Sequence, residues 1–203
     1  MLSNEENMKV NELIKLIKKT SATRIFDSRC VSTDYLNKVI SAGRWSLSIH
    51  AIQPWRIILI RDSGIINDIS SACYETSDSL YSGYRQVLAS TAETIKHART
   101  IIIVFNKQPF SLRAQKLGRK YKKVVKNAEI QCISAFMQNM NLAMSSLNLK
   151  SVWLTTCLFA ENRIKRILNV DEELIAILCV GFSNKNIRRS RRDKTNDFVS
   201  YRP

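Results

Sequence analysis

Three arginines in this chain could bind a phosphate group. Arg24 lies in the loop after the first predicted helix, and Arg189 and Arg191 stand two residues apart in the C-terminal tail. Guanidinium groups bind phosphate oxygens in pairs, and side chains two residues apart point the same way in an extended segment. By residue type alone, Arg24 also fits a surface ion pair, and the two tail arginines fit solvated charges.

A stiff polar loop precedes the first predicted strand. It begins at Ser48, passes through His50 and ends at Gln53-Pro54-Trp55. The ring of Pro54 fixes its own φ and biases Gln53 toward extended geometry, so the loop can hold polar groups against a ligand. By residue type alone, His50 fits a structural surface residue and Trp55 a core residue. We predict no catalytic side chain.

Several other kinds of site are not supported by the composition. The five cysteines are scattered and never spaced Cys-x-x-Cys, which argues against a disulfide framework or structural zinc and predicts buried thiols. Two histidines provide little material for a catalytic metal site, and none of the five glycines fits a phosphate-binding loop. We therefore predict no metal site.

The net charge of +15 is the main anomaly of the composition. No acidic residue lies between Thr94 and Ala128, a stretch rich in lysine and arginine. Such a field attracts polyanions, but a solvated basic surface fits the sequence better than nucleic-acid binding. The aromatic residues on which single-stranded nucleic acids stack are nearly absent from this stretch. The acidic N-terminus lacks an apolar signal core and the apolar run Leu174–Phe182 is too short to span a bilayer, which predicts a cytoplasmic protein.

Hydrophobic periodicity predicts an α+β protein with at least four strands. The predicted helices are Asn11–Lys19, a helix capped by Ser32 and ending near Gly43, Ile65–Tyr74, a basic segment Leu112–Asn127, the long helix Ala128–Leu147 and Ala160–Leu168. The predicted strands are Arg56–Arg61, Ile101–Phe105, Ser151–Leu154, Leu174–Phe182 and a short one at Phe198-Val199. We predict that the first strand is buried on both faces and that the long helix is buried on two sides. We also predict that Glu75–Ser90 is a flexible connection with helical pieces.

An ordered series of motifs over about Val10 to Tyr201 resembles the nitroreductase family of FMN-dependent oxidoreductases. The motifs are Thr20-Ser21-Ala22-Thr23-Arg24-Ile25-Phe26, the loop Leu47 to Trp55, Gln138-Asn139 in the long helix, Leu147 to Thr156, Val180-Gly181-Phe182 and Arg189-Ser190-Arg191. Each motif is weak alone, but their order is that of the family.

The resemblance implies a mixed central β-sheet flanked by helices, in one domain over residues 1–203. It also implies a homodimer that holds FMN at its interface, with a flexible N-terminus (1–9) and a basic C-terminal arm (183–203) exchanged onto the partner. The cofactor-binding residues that it implies are Thr20, Ser21, Ala22, Arg24, Ser48, His50, Ala51, Gln53, Leu154, Thr155, Thr156, Arg189 and Arg191. Arg24 and the tail arginines would meet the phosphate and ribityl end, Ser48 to Ile52 would approach from the neighbouring subunit, and Leu154 to Thr156 would lie along the ring. The implied reaction passes electrons from NADH or NADPH to a small acceptor such as a nitroaromatic or a quinone.

The chain departs from the family pattern at four polar or glycine positions. Thr20 stands for an arginine, Ala22 for a serine, Ala51 for an asparagine, and Asn148 for the first glycine of a Gly-x-Gly turn. Three lost polar contacts at roughly 1 kcal/mol each would weaken flavin binding about a hundredfold. Two alternatives therefore stay open: a non-catalytic descendant that binds nucleic acid or another polyanion, and a dehydrogenase that modifies a peptide or natural product.

Overall fold

The computed structural model describes residues 4–114, 116, 118–185, 192–193 and 198–202, with side chains from residue 8. The helices are α1 (Asn4–Lys19), α2 (Thr33–Gly43), α3 (Ser63–Ser77), α4 (Ser82–Lys96), α5 (Ser111–Ala114), α6 (Arg119–Ser146) and α7 (Glu161–Leu168). The strands are β1 (Trp55–Ile60), β2 (Thr100–Asn106), β3 (Lys150–Leu154) and β4 (Glu173–Gly181), and 3₁₀ turns occupy Ile49–Ala51 and Thr156–Ala160. The α+β class and the central sheet flanked by helices are confirmed.

The sheet has the strand order β1-β2-β4-β3, and each neighbouring pair is antiparallel. A parallel bridge between Ala22 and Ser151 extends it beyond β3. The register places the end of β1, the start of β2, the end of β4 and the start of β3 at one end of the sheet. The opposite end carries Trp55, Asn106 and Leu154.

Each face of the sheet carries its own hydrophobic layer, as the two-sided side-chain period of strands requires. On one face, α3, α4 and α7 pack against Ile101, Ile103 and Phe105 of β2. On the other, α2 and α6 pack against Ile102 and Val104. The prediction that α6 is buried on two sides is confirmed, because it contacts both α2 and the sheet.

Local capping explains several of the element boundaries. The Ser32 hydroxyl accepts a hydrogen bond from the Tyr35 amide and starts α2, and the Asp62 carboxylate accepts one from Ile65 and starts α3. Asn148 ends α6 with φ 57°, and the Leu149 amide donates to the Met144 carbonyl. Asn148 therefore keeps the left-handed turn that a glycine would otherwise make.

The structure corrects four sequence predictions. β1 is an edge strand and is only partly buried: Ile58 and Ile60 pack on one face and Trp55 and Ile57 on the other, whereas Arg56 and Leu59 are exposed. The helical pieces predicted within the flexible connection Glu75–Ser90 fill most of it, since α3 runs to Ser77 and α4 starts at Ser82. The first helix begins at Asn4 rather than at the predicted Asn11, and Phe198-Val199 forms no strand.

All five cysteines are free thiols, and four are buried as predicted, whereas Cys30 is exposed. Within the described residues, no helix combines the length and the apolarity needed to cross a bilayer.

Candidate functional site

The loop after α1 lies along the free edge of β3. Ala22 forms the parallel bridge with Ser151, and the Thr23 amide donates to the Ser151 carbonyl at 2.8 Å. Thr20 and Ser21 are half-buried, and Ala22 and Arg24 are exposed. The structure thus brings the predicted residues Thr20 to Arg24 to the start of β3.

The charge of Arg24 acts on the neighbouring strand β4. Burial raises the pKa of the Cys179 thiol, and the nearby guanidinium of Arg24 opposes that rise by stabilising the thiolate. Arg24 follows directly after Thr23, whose amide is bonded to Ser151 of β3, so the backbone places the cation near the β3–β4 pair. A positive group therefore lies next to the edge where the loop is attached.

Two further lysines, which the sequence analysis did not name, lie in the same place. Lys19 and Lys150 line a shallow depression together with Thr20, Ser21 and Ser151. Lys19 donates from Nζ to the Asn148 side-chain oxygen at 3.0 Å. Their positions beside Thr20 and at the start of β3 are the only sequence signal that could have identified them.

The other end of β3 carries hydroxyl groups. Leu154 is buried, Thr155 is exposed, and the Thr156 hydroxyl shares a 2.5 Å hydrogen bond with that of Thr91 in α4. Ser151 and Leu154 are three residues apart, about 10 Å along a strand. The edge therefore presents cations at one end and hydroxyls at the other, separated by one short strand.

The loop Ser48–Gln53 lies elsewhere in the protomer. It leads into β1, at the opposite edge of the sheet from β3, and three strand spacings amount to about 14 Å. The Ile49 amide donates to the Cys132 sulfur, and the ring of His50 meets Phe110 edge-on at 6.3 Å. Within one protomer, the structure therefore does not bring Ser48, His50, Ala51 and Gln53 to β3.

The same loop has a constrained backbone. His50 and Ala51 both have positive φ, at 51° and 55°. For residues other than glycine, the left-handed backbone conformation costs roughly 1–2 kcal/mol per residue. Tertiary contacts must therefore hold the loop in this conformation. The predicted tail residues Arg189 and Arg191 lie outside the described residues.

Two buried polar atoms near β3 have no hydrogen-bond partner among the described residues, Thr23 Oγ1 and Trp153 Nε1. Both are enclosed by protein atoms, so a ligand at this edge would not contact them. The cations at the start of β3 and the threonines at its end fit the polar groups that a phosphorylated, ring-bearing cofactor such as FMN requires.

A comparison with protein-family models matches residues 17–182 to the nitroreductase family. The match extends from the end of α1 to just beyond β4, and so includes both edges described above. No curated protein matches the sequence significantly.

Solved structures with this fold cover almost the whole chain. A BluB-like flavoprotein from Clostridium difficile 630 is 19% identical, with a TM-score of 0.78 over 93% of this chain and 98% of its own. A candidate nitroreductase from Desulfovibrio desulfuricans in complex with FMN is 20% identical, with a TM-score of 0.73 over 94% and 96%. A candidate NADH dehydrogenase/NAD(P)H nitroreductase from Parabacteroides distasonis is 17% identical, with a TM-score of 0.70 over 93% and 97%. At these identities, the likeness shows a shared fold.

Proposed function

The chain belongs to the nitroreductase family, and on that premise we propose that it is an FMN-dependent oxidoreductase. It would take electrons from NADH or NADPH and pass them to a small acceptor such as a nitroaromatic or a quinone, in the cytoplasm. The observation that carries this proposal is the attachment of the loop Thr20–Arg24 to the edge of β3, which sets cations beside a strand that ends in threonines.

In this proposal, the residues of the chain bind and orient the cofactor. Arg24, Lys19 and Lys150 would neutralise its phosphate and ribityl end, and Lys19 and Lys150 would replace the cation lost at position 20. Leu154, Thr155 and Thr156 would lie along the ring, and Arg189 and Arg191 would add charge from the tail. Bound FMN would supply the two-electron chemistry, so no side-chain acid or base is required.

We further propose that the site is shared between two copies of the chain. The loop Ser48–Gln53 cannot reach β3 of its own protomer without crossing the sheet, whereas a partner's loop can approach from outside. Apolar side chains flank this loop in exposed positions: Leu47 is 91% exposed and Trp45 is 76% exposed. α1 also leaves Leu13, Ile14 and Ile17 exposed along one stripe. Such surfaces are typical of subunit interfaces, and an exchanged C-terminal arm would extend this one.

An FMN titration followed by visible absorbance tests the cofactor assignment. Charge-assisted hydrogen bonds contribute about 1.5–3 kcal/mol, so Arg24→Ala should weaken FMN binding by roughly 10- to 100-fold. Arg166→Ala removes an exposed arginine from α7 and serves as the matched control, with an expected change of less than about twofold. A wild-type protein that binds no FMN would refute the proposed function, and equal affinities in both variants would remove Arg24 from the site.

Sedimentation of the FMN-loaded protein tests the shared site. Leu47→Glu should shift the protein toward monomer and release FMN, because a charge would be buried in the interface. Tyr81→Glu changes a residue that is 90% exposed at the start of α4 and should leave both properties unchanged. A monomeric wild type that retains FMN would contradict a site built from two protomers.

A different observation favours a second candidate function, the binding of a polyanion. The first turns of α6 expose Arg119, Lys120, Lys122 and Lys123, and none of these has an ion-pair partner among the described residues. Nucleic-acid retention on a gel should then fall steeply with salt, since each neutralised phosphate releases counterions. No retention at low salt would eliminate this candidate.

A further inference from the structure

A second cleft, of about 400 Å³, opens at the end of the sheet where β1 ends and β2 begins. One wall is the loop segment that contains Phe26 and Ser28, and the other walls are the start of α3 and the end of α4. Its volume lies within the range of small-molecule sites. The cleft has no role in the proposed oxidoreductase function.

The sheet register gathers cations at this cleft from distant parts of the sequence. Ile60 pairs with Ile101, so Arg61 and Arg99 leave their strands at the same end of the sheet. Lys96 and His97 come from the last turn and the C-cap of α4. All four side chains line the cleft.

The four cationic side chains differ in the protein groups that they contact. Arg61 donates from Nη2 to the Val31 carbonyl at 2.7 Å and from Nη1 to the Thr33 hydroxyl at 3.1 Å, which orients its guanidinium and leaves three of its five N–H groups for a ligand. Lys96 and Arg99 form no ion pair within the described part of the chain. His97 lies 3.4 Å from the Glu93 carboxylate, a pair within α4.

Asp27 is the acidic residue in the lining, and its charge is already matched. Arg29 donates to both Asp27 carboxylate oxygens, at 3.0 Å and 2.6 Å. The hydrogen bonds to Arg29 hold the pKa of Asp27 below its usual range, so the pair stays formed near neutral pH. The remaining charge of the cleft is therefore positive.

The uncharged residues that line the cleft indicate which chemical groups an anionic ligand would need besides its charge. Ser63 and Asn67 add hydroxyl and amide groups, which suit the oxygens of a phosphate or a sugar. Phe26, Ile66 and Ala98 supply an apolar floor, which an inorganic anion would not use. We propose that this cleft binds a small phosphate ester of nucleotide size, with its phosphate against Arg61, Lys96 and Arg99.

This cleft is a different site from the proposed flavin edge, although the two share the loop after α1. Phe26 and Ser28 of that loop line the cleft, whereas Arg24, two residues before Phe26, belongs to the proposed flavin edge. The cations that carry the inference are Arg61, Lys96 and Arg99, and none of them is assigned to FMN. The inference therefore goes beyond the proposed function.

Calorimetric titration of the full chain with ADP tests the proposal, with pyrophosphate as a second probe. We expect ADP to bind more tightly than pyrophosphate, because the apolar floor adds contact, and we expect protein that carries one bound FMN per chain to keep the same ADP affinity. The double variant Lys96→Gln/Arg99→Gln should weaken ADP binding at least tenfold. The control double variant Lys15→Gln/Lys18→Gln removes the same charge from exposed positions of α1 and should change the affinity less than twofold.

Each contrary result would overturn the proposal. No ADP binding by the wild type at millimolar concentration would refute a site. Loss of ADP binding in protein loaded with one FMN per chain would refute a site separate from that of FMN. Pyrophosphate binding as tight as ADP would refute the contribution of the floor. An equal loss in the two double variants would show attraction by net charge alone. All four substituted residues are exposed, so unchanged melting temperatures should establish that both variants fold.

Discussion

At the scale of single residues, the departures from the family pattern have different structural consequences. Asn148 adopts the left-handed turn that a glycine would make, so the chain path after α6 is kept. Ala51 is different, because it adopts φ 55° without the local hydrogen bonds that asparagine offers there. Thr20 stands where the family pattern has an arginine, and two lysines, Lys19 and Lys150, line the depression next to it.

We expect Ala51→Gly to stabilise the protein by about 1 kcal/mol, because glycine adopts positive φ without steric cost. Ala51→Asn should stabilise it by a smaller amount and also tighten FMN binding, since it restores a polar side chain to the loop. Urea unfolding of the apo-protein measures the first effect, and an FMN titration measures the second.

Ala42→Gly, within α2, is the matched control and should destabilise by roughly 0.5–1 kcal/mol. If Ala51→Gly destabilises the protein as much as Ala42→Gly does, the inference that the loop backbone is strained at Ala51 is wrong.

At the scale of elements, α2 and α6 approach each other at a glycine. A Cβ atom at Gly43 would lie 2.7 Å from a ring carbon of Phe136 and 2.8 Å from Cγ of Met140. Phe136 is itself held by a stacked contact with Trp55, whose ring centroid lies 4.6 Å away. The neighbours of Gly43 therefore have little freedom to move.

Gly43→Ala should lower the free energy of unfolding by about 1–3 kcal/mol through overpacking. Gly83→Ala, near the start of α4 with nothing within 4 Å of its Cβ position, should be neutral or stabilising by up to about 1 kcal/mol. Chemical denaturation of the two variants gives the comparison. A Gly43→Ala variant as stable as Gly83→Ala would mean that α2 and α6 are farther apart than described.

The turn into α5 is held by a buried carboxylate of α6. Glu129 is fully buried and accepts hydrogen bonds from the amides of Phe110 and Ser111, at 2.8 Å and 3.0 Å, and from the Asn106 amide group at 3.2 Å. The turn that contains Phe110 in turn meets His50, so the carboxylate also positions the loop Ser48–Gln53.

Glu129→Gln should lower the free energy of unfolding by about 2 kcal/mol or more, because an amide nitrogen cannot accept these bonds and leaves buried donors unpaired. Thermal or urea unfolding measures the loss. Glu93→Gln, at an exposed position in α4, should change stability by less than about 0.5 kcal/mol. Similar stabilities for the two variants would show that Glu129 does not hold the turn.

At the scale of the whole molecule, three buried thiols connect stability to pH. Burial raises the pKa of Cys73 to about 12 from its ordinary 9.0, and it raises the pKa values of Cys157 and Cys179 as well. In the unfolded chain these thiols would lose their protons near pH 9, whereas in the folded protein they stay protonated. The stability that they contribute is therefore complete below the unfolded pKa and is lost as the pH rises toward the folded pKa.

The free energy of unfolding should consequently fall as the pH rises above 9, by up to about 1.4 kcal/mol per pH unit for each thiol. Urea titrations between pH 7 and pH 10.5 measure the slope. Cys73→Ala should reduce the slope by the contribution of one thiol, which separates the effect from that of lysines and tyrosines. An unchanged slope in this variant would contradict the assignment.

Much of this molecule follows from the sequence alone, because the patterns involved are local. The hydroxyl of Ser32 before an apolar stripe fixes the start of α2, and the unbroken apolar run of β2 fixes a buried central strand. The ordered motifs from Thr20 to Arg191 identified the family, since each is a short run of neighbouring residues.

Only the tertiary structure decided which residues meet, because contacts between distant segments depend on strand order and register. Strand order made β1 an edge strand despite its apolar sequence, and it separated Ser48–Gln53 from β3 within the protomer. Register brought Lys150 to the same depression as Lys19, and Arg61 to the same cleft as Arg99. The hydrophobic periodicity of α4 is weak in the sequence because its buried face contains Thr91 and Thr94. Packing of this face against α3 stabilises the helix.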